Sequence, residues 1–223
     1  MLFQEKVCAL IQTLSSFETN EKTFNPWKDV DLIHDINCSA PYVRCNNLKQ
    51  YLLNRENAKF ILIAEALSYQ GGKFTGVAMT SERLLGVRTS NPNANLGNDT
   101  RKYNGFSENT ATIVEKTLIN DFSFRNIDFL KWNIYPFHPH KDNLLSNRTP
   151  TISEIQSTYS ILKMFLDIFN DKKLIAVGNT SYNIFKENFP KYDISKVRHP
   201  ANGGATEFKN QIRCILFKYK IYS

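Results

Sequence analysis

The chain has 223 residues, 42% of them hydrophobic and 13% aromatic, which is enough to bury a core and excludes wholesale disorder. Lys and Arg number 28 against 21 Asp and Glu, and the resulting formal charge of +7 suits a polyanionic partner, nucleic acid foremost. No run approaches the roughly 18 apolar residues of a membrane span, and Cys8, Cys38, Cys45 and Cys214 lack the paired spacing of metal ligands. A cytoplasmic, monomeric protein with reduced thiols and a single domain over 1–223 is the expectation.

Phe3, Val7, Leu10, Leu14 and Phe17 recur in steps of four and three and predict a first amphipathic helix, broken by Asn25-Pro26. Asn47 to Asn57 reads as a short helix. Lys59 to Glu65 is a continuous apolar run of the kind that a strand buried on both faces requires. Residues 87 to 111, rich in Asn, Gly, Thr and Ser, read as a long loop, with Ala111 to Leu118 open to a helix. Phe129 to Phe137 is a second strand, ended by Pro136 and Pro139 because proline cannot donate to a ladder.

Thr149-Pro150-Thr151 opens a helix that carries Ile155, Tyr159, Leu162, Leu166 and Phe169 on one face. Lys173 to Val177 is a third strand stopped by Gly178, a helix follows from about Ser181 to Asn188, and Ser195 to Arg198 is a short fourth strand. Phe208, Ile212, Ile215, Tyr219 and Tyr222 place one apolar face on a closing helix. Strands alternating with helices predict a three-layer α/β/α sandwich around a central, mainly parallel four-stranded sheet.

Ligands of open α/β sheets bind outside the carboxyl ends of the strands. Those ends deliver Glu65 and the loop Ala66 to Gly72, then Asn133 to His140, Gly178-Asn179, and Arg198 to Gly204, so a carboxylate, an amide and an imidazole converge. Gly71-Gly72 and Gly203-Gly204 would let backbone amides approach phosphates beside Lys73, Arg198 and Lys209, although glycine pairs also serve as plain turns. His138-Pro139-His140 with Asp142 lacks a clear third and fourth ligand, so neither a metal nor a cofactor is expected.

These stretches resemble the uracil-DNA glycosylase superfamily. Similar members carry a strand ending in Gly-Glu-Ala-Pro-Gly-Tyr, then Phe-Thr-Gly-x-Pro-Phe-Thr-Ser-Glu, Trp-Asn-x-x-Pro-Phe-His-Pro and a late Val-Arg-His-Pro-x-x-Gly-Gly. Ala64 to Tyr69, Phe74 to Glu82, Trp132 to Pro139 and Val197 to Gly204 follow in that order here, over about residues 60 to 210. The resemblance implies an enzyme that everts a nucleotide from duplex DNA and hydrolyses its N-glycosidic bond without a cofactor. His199 would aim a donor at the base carbonyl where charge develops, Asn133 would pair with the edge of a pyrimidine, and Glu65 would orient the attacking water or stabilise the cationic sugar. Ser68, Tyr69 and Met79 would line the base pocket, with Tyr69 equally suited to stacking on a base or packing. Gly71, Gly72, Lys73, Arg198, Asn202, Gly203, Gly204 and Lys209 would meet the DNA backbone.

The departures from the family pattern are informative. Ala66 stands where the best-known uracil enzymes carry a water-activating Asp, and Glu65 can substitute only if the strand has broken there, since successive strand side chains face opposite ways. Ser68 aligns with the Tyr that blocks C5 substituents in strict uracil enzymes, and Met79 replaces a base-stacking Phe with a flexible thioether. The loop Ala201 to Gly204 lacks a large apolar wedge, which assigns duplex opening to residues 87 to 111 with Arg88, Arg101, Lys102 and Tyr103. The expected function is a monofunctional glycosylase for a bulky 5-substituted cytosine, such as the glucosylated hydroxymethylcytosine of phage DNA that antiviral members remove. The alternatives are a uracil-DNA glycosylase of base-excision repair and a non-catalytic DNA-binding module.

Overall fold

The protein is described by a computed structural model at residues 2–35, 37–82, 84 and 106–221. Helix α1 spans Phe3–Ser16, strand β1 Thr23–Phe24, helix α2 Ala40–Leu53, strand β2 Phe60–Ala64 and the short helix α3 Gly72–Thr75. Helix α4, Asn109–Glu115, widens into a π-helical turn over Lys116–Asp121, and a 3₁₀ turn at Asn126–Asp128 leads into β3, Phe129–Asn133. There follow β4 His138–Pro139, α5 Ile152–Ser157, α6 Tyr159–Ile168, β5 Lys173–Val177, α7 Asn179–Asn188, β6 Ile194–Val197 and α8 Ala205–Lys218.

β2, β3, β5 and β6 form a parallel sheet in the order β3-β2-β5-β6. Strand alternation sorts its side chains into two apolar layers. Ile61, Ile63, Leu130 and Trp132 face one way and pack with Leu10 of α1, Leu52 of α2, Phe165 of α6 and Phe185 of α7. Phe60, Leu62, Phe129 and Ile175 face the other way, towards Val114 of α4 and Phe208 and Ile212 of α8. The three-layer sandwich expected from the alternating elements is therefore observed. Trp132 stacks on Phe165 with ring centroids 4.1 Å apart, and full burial of such a side chain stabilises the fold by roughly 1.5–3 kcal/mol.

Several boundaries differ from the sequence reading, each for a local reason. α2 starts at Ala40, seven positions before Asn47, and keeps Pro41 in its first turn where a missing N–H costs nothing. Its inward face carries Arg44 and Asn47, both buried, which hides the apolar period. β3 ends at Asn133, but the N–H groups of Ile134 and Tyr135 still donate to the carbonyls of Ala64 and Glu65, and Pro139 sits in the two-residue strand β4 beside β1. The helix opened by Thr151 is split at Thr158, whose hydroxyl donates to the Ile155 carbonyl at 2.9 Å. Tyr222 lies outside the described residues, as do Arg88, Arg101, Lys102 and Tyr103, which were assigned to duplex opening. Among the described residues, no helix is long and apolar enough to cross a membrane.

Thr151 closes a capping box at α5: its hydroxyl accepts from Glu154 N at 3.3 Å while its own N–H donates to the Glu154 carboxylate at 2.7 Å. Thr151→Ala is expected to lower unfolding free energy by about 1 kcal/mol, read from urea denaturation.

Candidate active site

The carboxyl ends of the strands open into a cleft of about 430 Å³, the position that open α/β sheets reserve for ligands. Glu65, Ser68, Met79 and His199 all line it, so four of the residues singled out from sequence meet there although they are scattered along the chain. Glu65 reaches the cleft because β2 ends at Ala64 and the chain bends at Glu65 itself, which meets the condition set by strand alternation.

His199 follows β6, and a backbone contact defines its tautomer. Its Nδ1 accepts from Ala201 N at 3.3 Å, so in the neutral ring the proton resides on Nε2, which has no acceptor among the described residues. Burial pushes the imidazole pKa down, Glu65 pulls it up and Arg198 adds to the decrease, with a net shift below the usual histidine value. The ring is thus neutral at pH 7. The turn that carries it depends on Gly204, where a Cβ would come within 2.1 Å of the His199 carbonyl oxygen.

Asn133 is placed differently from its partners. It is 2% exposed, pairs in register with Ala64, whose residue lines the cleft, and shares the Ala64 side of the sheet, opposite Trp132. It does not itself line the cleft, but borders a cavity of about 10 Å³ behind Leu67, a residue common to both spaces. Both amide atoms of Asn133 are buried without a hydrogen-bond partner among the described residues. Such an orphaned donor and acceptor costs stability unless something else satisfies it.

Met79 is buried and holds a left-handed backbone, φ +46°, an uncommon conformation for a residue with a side chain. Its carbonyl accepts from the Lys131 ammonium at 3.0 Å, and Lys131 is paired in turn with Glu115 at 3.1 Å, so β3 clamps the strained residue. Tyr69 does not line the cleft; its ring packs edge-on against Phe106, centroids 5.8 Å apart, and its N–H donates to the Asn147 side chain at 3.0 Å.

Three of the residues assigned to the DNA backbone are corrected. Lys73 is fully buried, ion-paired with Asp31 and set over the Phe74 ring, and therefore cannot reach a phosphate. Gly71 and Gly72 are buried as well: a Cβ on Gly71 would come within 2.1 Å of the Thr80 carbonyl oxygen, and one on Gly72 within 2.2 Å of the Leu67 side chain. These glycines permit close packing inside the protein. Arg198, Asn202 and Gly203 are exposed beside the cleft, Gly204 is buried beneath them, and Lys209 is half-exposed but paired with Asp121 at 2.9 Å. His138 sets its ring nitrogens 2.9 Å and 3.1 Å from the carbonyl oxygens of Leu67 and Leu144, and burial pushes its pKa down to about 4. Among the described residues, no group of three His, Cys, Asp or Glu side chains could hold a metal ion.

The sequence reading missed Glu108, which lies immediately before α4 and lines the cleft. Its Oε2 is enclosed and has no hydrogen-bond partner among the described residues. Burial raises its pKa to about 7 against the opposing pull of Lys131. Asn147 and Arg148 also line the cleft, with Arg148 held by Glu154 at 2.6 Å. No motif marked any of the three.

A four-stranded parallel sheet lies between two helical layers, with the cleft at its strand ends. Among solved structures, the chain is similar to wild-type SMUG2 from Pedobacter heparinus, with a TM-score of 0.63 over 99% of this chain and 97% of that one. Sequence identity is 13%, so what the two share is the fold. No family model matches the chain, and no curated protein matches it.

Proposed function

We propose that the protein is a monofunctional DNA glycosylase that everts a modified pyrimidine nucleotide and hydrolyses its glycosidic bond to leave an abasic site. The observation that carries this reading is that Glu65 and a neutral His199, with Nε2–H free, line one cleft at the carboxyl ends of the sheet. Cleavage develops negative charge on the base and positive charge on the sugar. The His199 Nε2–H would donate to the base carbonyl as its charge grows, and Glu65 would orient the water that attacks the sugar carbon. Asn133, with both amide atoms unpartnered, would pair with the base edge once the base has entered past Leu67. The likeness to SMUG2 supports the same reading at the level of the fold.

A bulky 5-substituted cytosine, such as glucosylated hydroxymethylcytosine in phage DNA, is the proposed target. A cleft of about 430 Å³ lies in the range that takes drug-sized ligands, and its rim at Ala66 and Ser68 carries small side chains. A role in defence against phage follows from that target. The test uses duplexes containing uracil, hydroxymethylcytosine or glucosylated hydroxymethylcytosine, with mass identification of any free base and alkali cleavage of the strand. Release of the modified cytosine is expected. Cleavage at uracil alone would replace the bulky target with uracil, and binding without release from any duplex would leave a DNA-binding module.

A further inference from the structure

We propose that Glu108 is a second catalytic carboxyl group of the cleft, a general acid that protonates the base as it departs. This inference rests on the glycosylase reading and adds to it the class of base removed: one whose anion is too basic to leave unaided, as the anion of a cytosine is. Glu108 lines the same cleft as Glu65, Met79 and His199, and its Oε2 is enclosed without a hydrogen-bond partner among the described residues. The carboxyl rests against the backbone of Gly71, where a Cβ would come within 2.3 Å of Oε2, so the glycine makes the space the carboxyl occupies. No described residue uses this oxygen, although leaving a polar atom enclosed and unpaired is costly.

Among the described residues, the charged and titratable groups that line the cleft with Glu108 are Glu65 after β2, His199 after β6 and Arg148, whose guanidinium is already taken by Glu154, and Lys131 of β3 acts on Glu108 electrostatically. Lys131 favours the carboxylate and burial favours the acid. Burial wins, which leaves a substantial fraction of Glu108 protonated at neutral pH.

The step balances as follows. The N-glycosidic bond breaks with its electron pair passing to the base, the Glu108 proton moves to a base nitrogen or carbonyl oxygen, and the base departs neutral. Water bonds to the sugar carbon and gives a proton to Glu65. Glu108 is left as a carboxylate and Glu65 as an acid, and exchange with solvent restores both. His199 can stabilise carbonyl charge by a hydrogen bond while remaining neutral throughout; Glu108 supplies the proton itself.

The test compares the wild-type chain with Glu108→Gln on duplexes containing 5-fluorouracil, uracil or 5-hydroxymethylcytosine, whose bases leave progressively less readily. The glutamine keeps the size and a donor but has no proton to give. The loss in single-turnover rate is expected to grow along the series, from within about threefold for 5-fluorouracil to on the order of 10²-fold for hydroxymethylcytosine. Wild-type release of hydroxymethylcytosine should decline above about pH 7 as Glu108 ionises, while release by the variant should not. Equal losses on all three bases would mark a structural role and overturn the proposal, as would no loss on any of them. If the wild-type chain releases neither these bases nor glucosylated hydroxymethylcytosine, the glycosylase reading falls with it, whereas wild-type release that is indifferent to Glu108→Gln removes this inference alone.

Discussion

Replacing His199 with Ala is expected to slow base release by about 10²–10³-fold, the loss measured when one preorganised donor to a developing anion is removed, while duplex affinity stays within a few-fold. The asymmetry follows from geometry. His199 is half-buried in the cleft and its Nε2–H meets no acceptor among the described residues, whereas the proposed phosphate contacts fall to exposed cations such as Arg198. Binding measured at two salt concentrations should keep its wild-type salt dependence, because that slope counts neutralised phosphates and not pocket contacts. Unchanged release by His199→Ala would remove the site.

Asn133→Ala offers an independent signature. The side chain is buried with both polar atoms unpartnered among the described residues, so truncating it removes a desolvation penalty along with a few packing contacts. Release should fall with little change in unfolding free energy. A residue kept for stability would give the reverse pattern, a large drop in stability with catalysis intact in the folded fraction.

Much of this arrangement is legible from the sequence because the sheet is parallel and buried on both faces. Phe60 to Ala64 and Lys173 to Val177 must be nearly all apolar, and the loops that follow them are forced to the same end of the molecule. Glu65 and His199 could therefore be brought together without coordinates. Polar residues that face inward are harder to read. Arg44, Lys73 and Lys131 are each at most 1% exposed and satisfied by partners distant in sequence, so each reads locally as a surface cation. Lys73 was assigned to DNA for that reason: its neighbours are two glycines, while the partner that buries it is Asp31. Glu108 stayed hidden because its significance comes from an enclosed oxygen, and enclosure has no local sequence pattern.

The same buried cations give the stability prediction with the largest expected effect. Asp31→Ala should destabilise the fold by about 3–5 kcal/mol, because it strands the fully buried ammonium of Lys73, a residue of α3, without its counter-charge. Asp31 also accepts from the backbone N–H of Ile33 at 3.1 Å, and the same loop places Asp35 against the Arg44 guanidinium at 2.6 Å, so losing it loosens the packing of α2 on α3. Bonds from Lys73 and His34 outweigh the burial of the Asp31 carboxyl and hold its pKa at about 2, below the unfolded value of 3.8. A depressed carboxyl contributes stability that is complete above the unfolded pKa and is lost as pH falls through the folded one. Wild-type stability in urea should therefore decline between about pH 4 and pH 2, and this part of the decline should vanish in Asp31→Ala. The double variant Asp31→Leu with Lys73→Met removes both charges and should recover most of the loss, since replacing a buried ion pair with apolar side chains is often neutral or stabilising. A single variant costing under about 1 kcal/mol, or a double variant no better than the single, would show that the pair does not hold α3 in place. Because α3 leads directly into the turn that presents Met79 to the cleft, the single variant should also lose base release in proportion to the fraction unfolded, and the double variant should regain it.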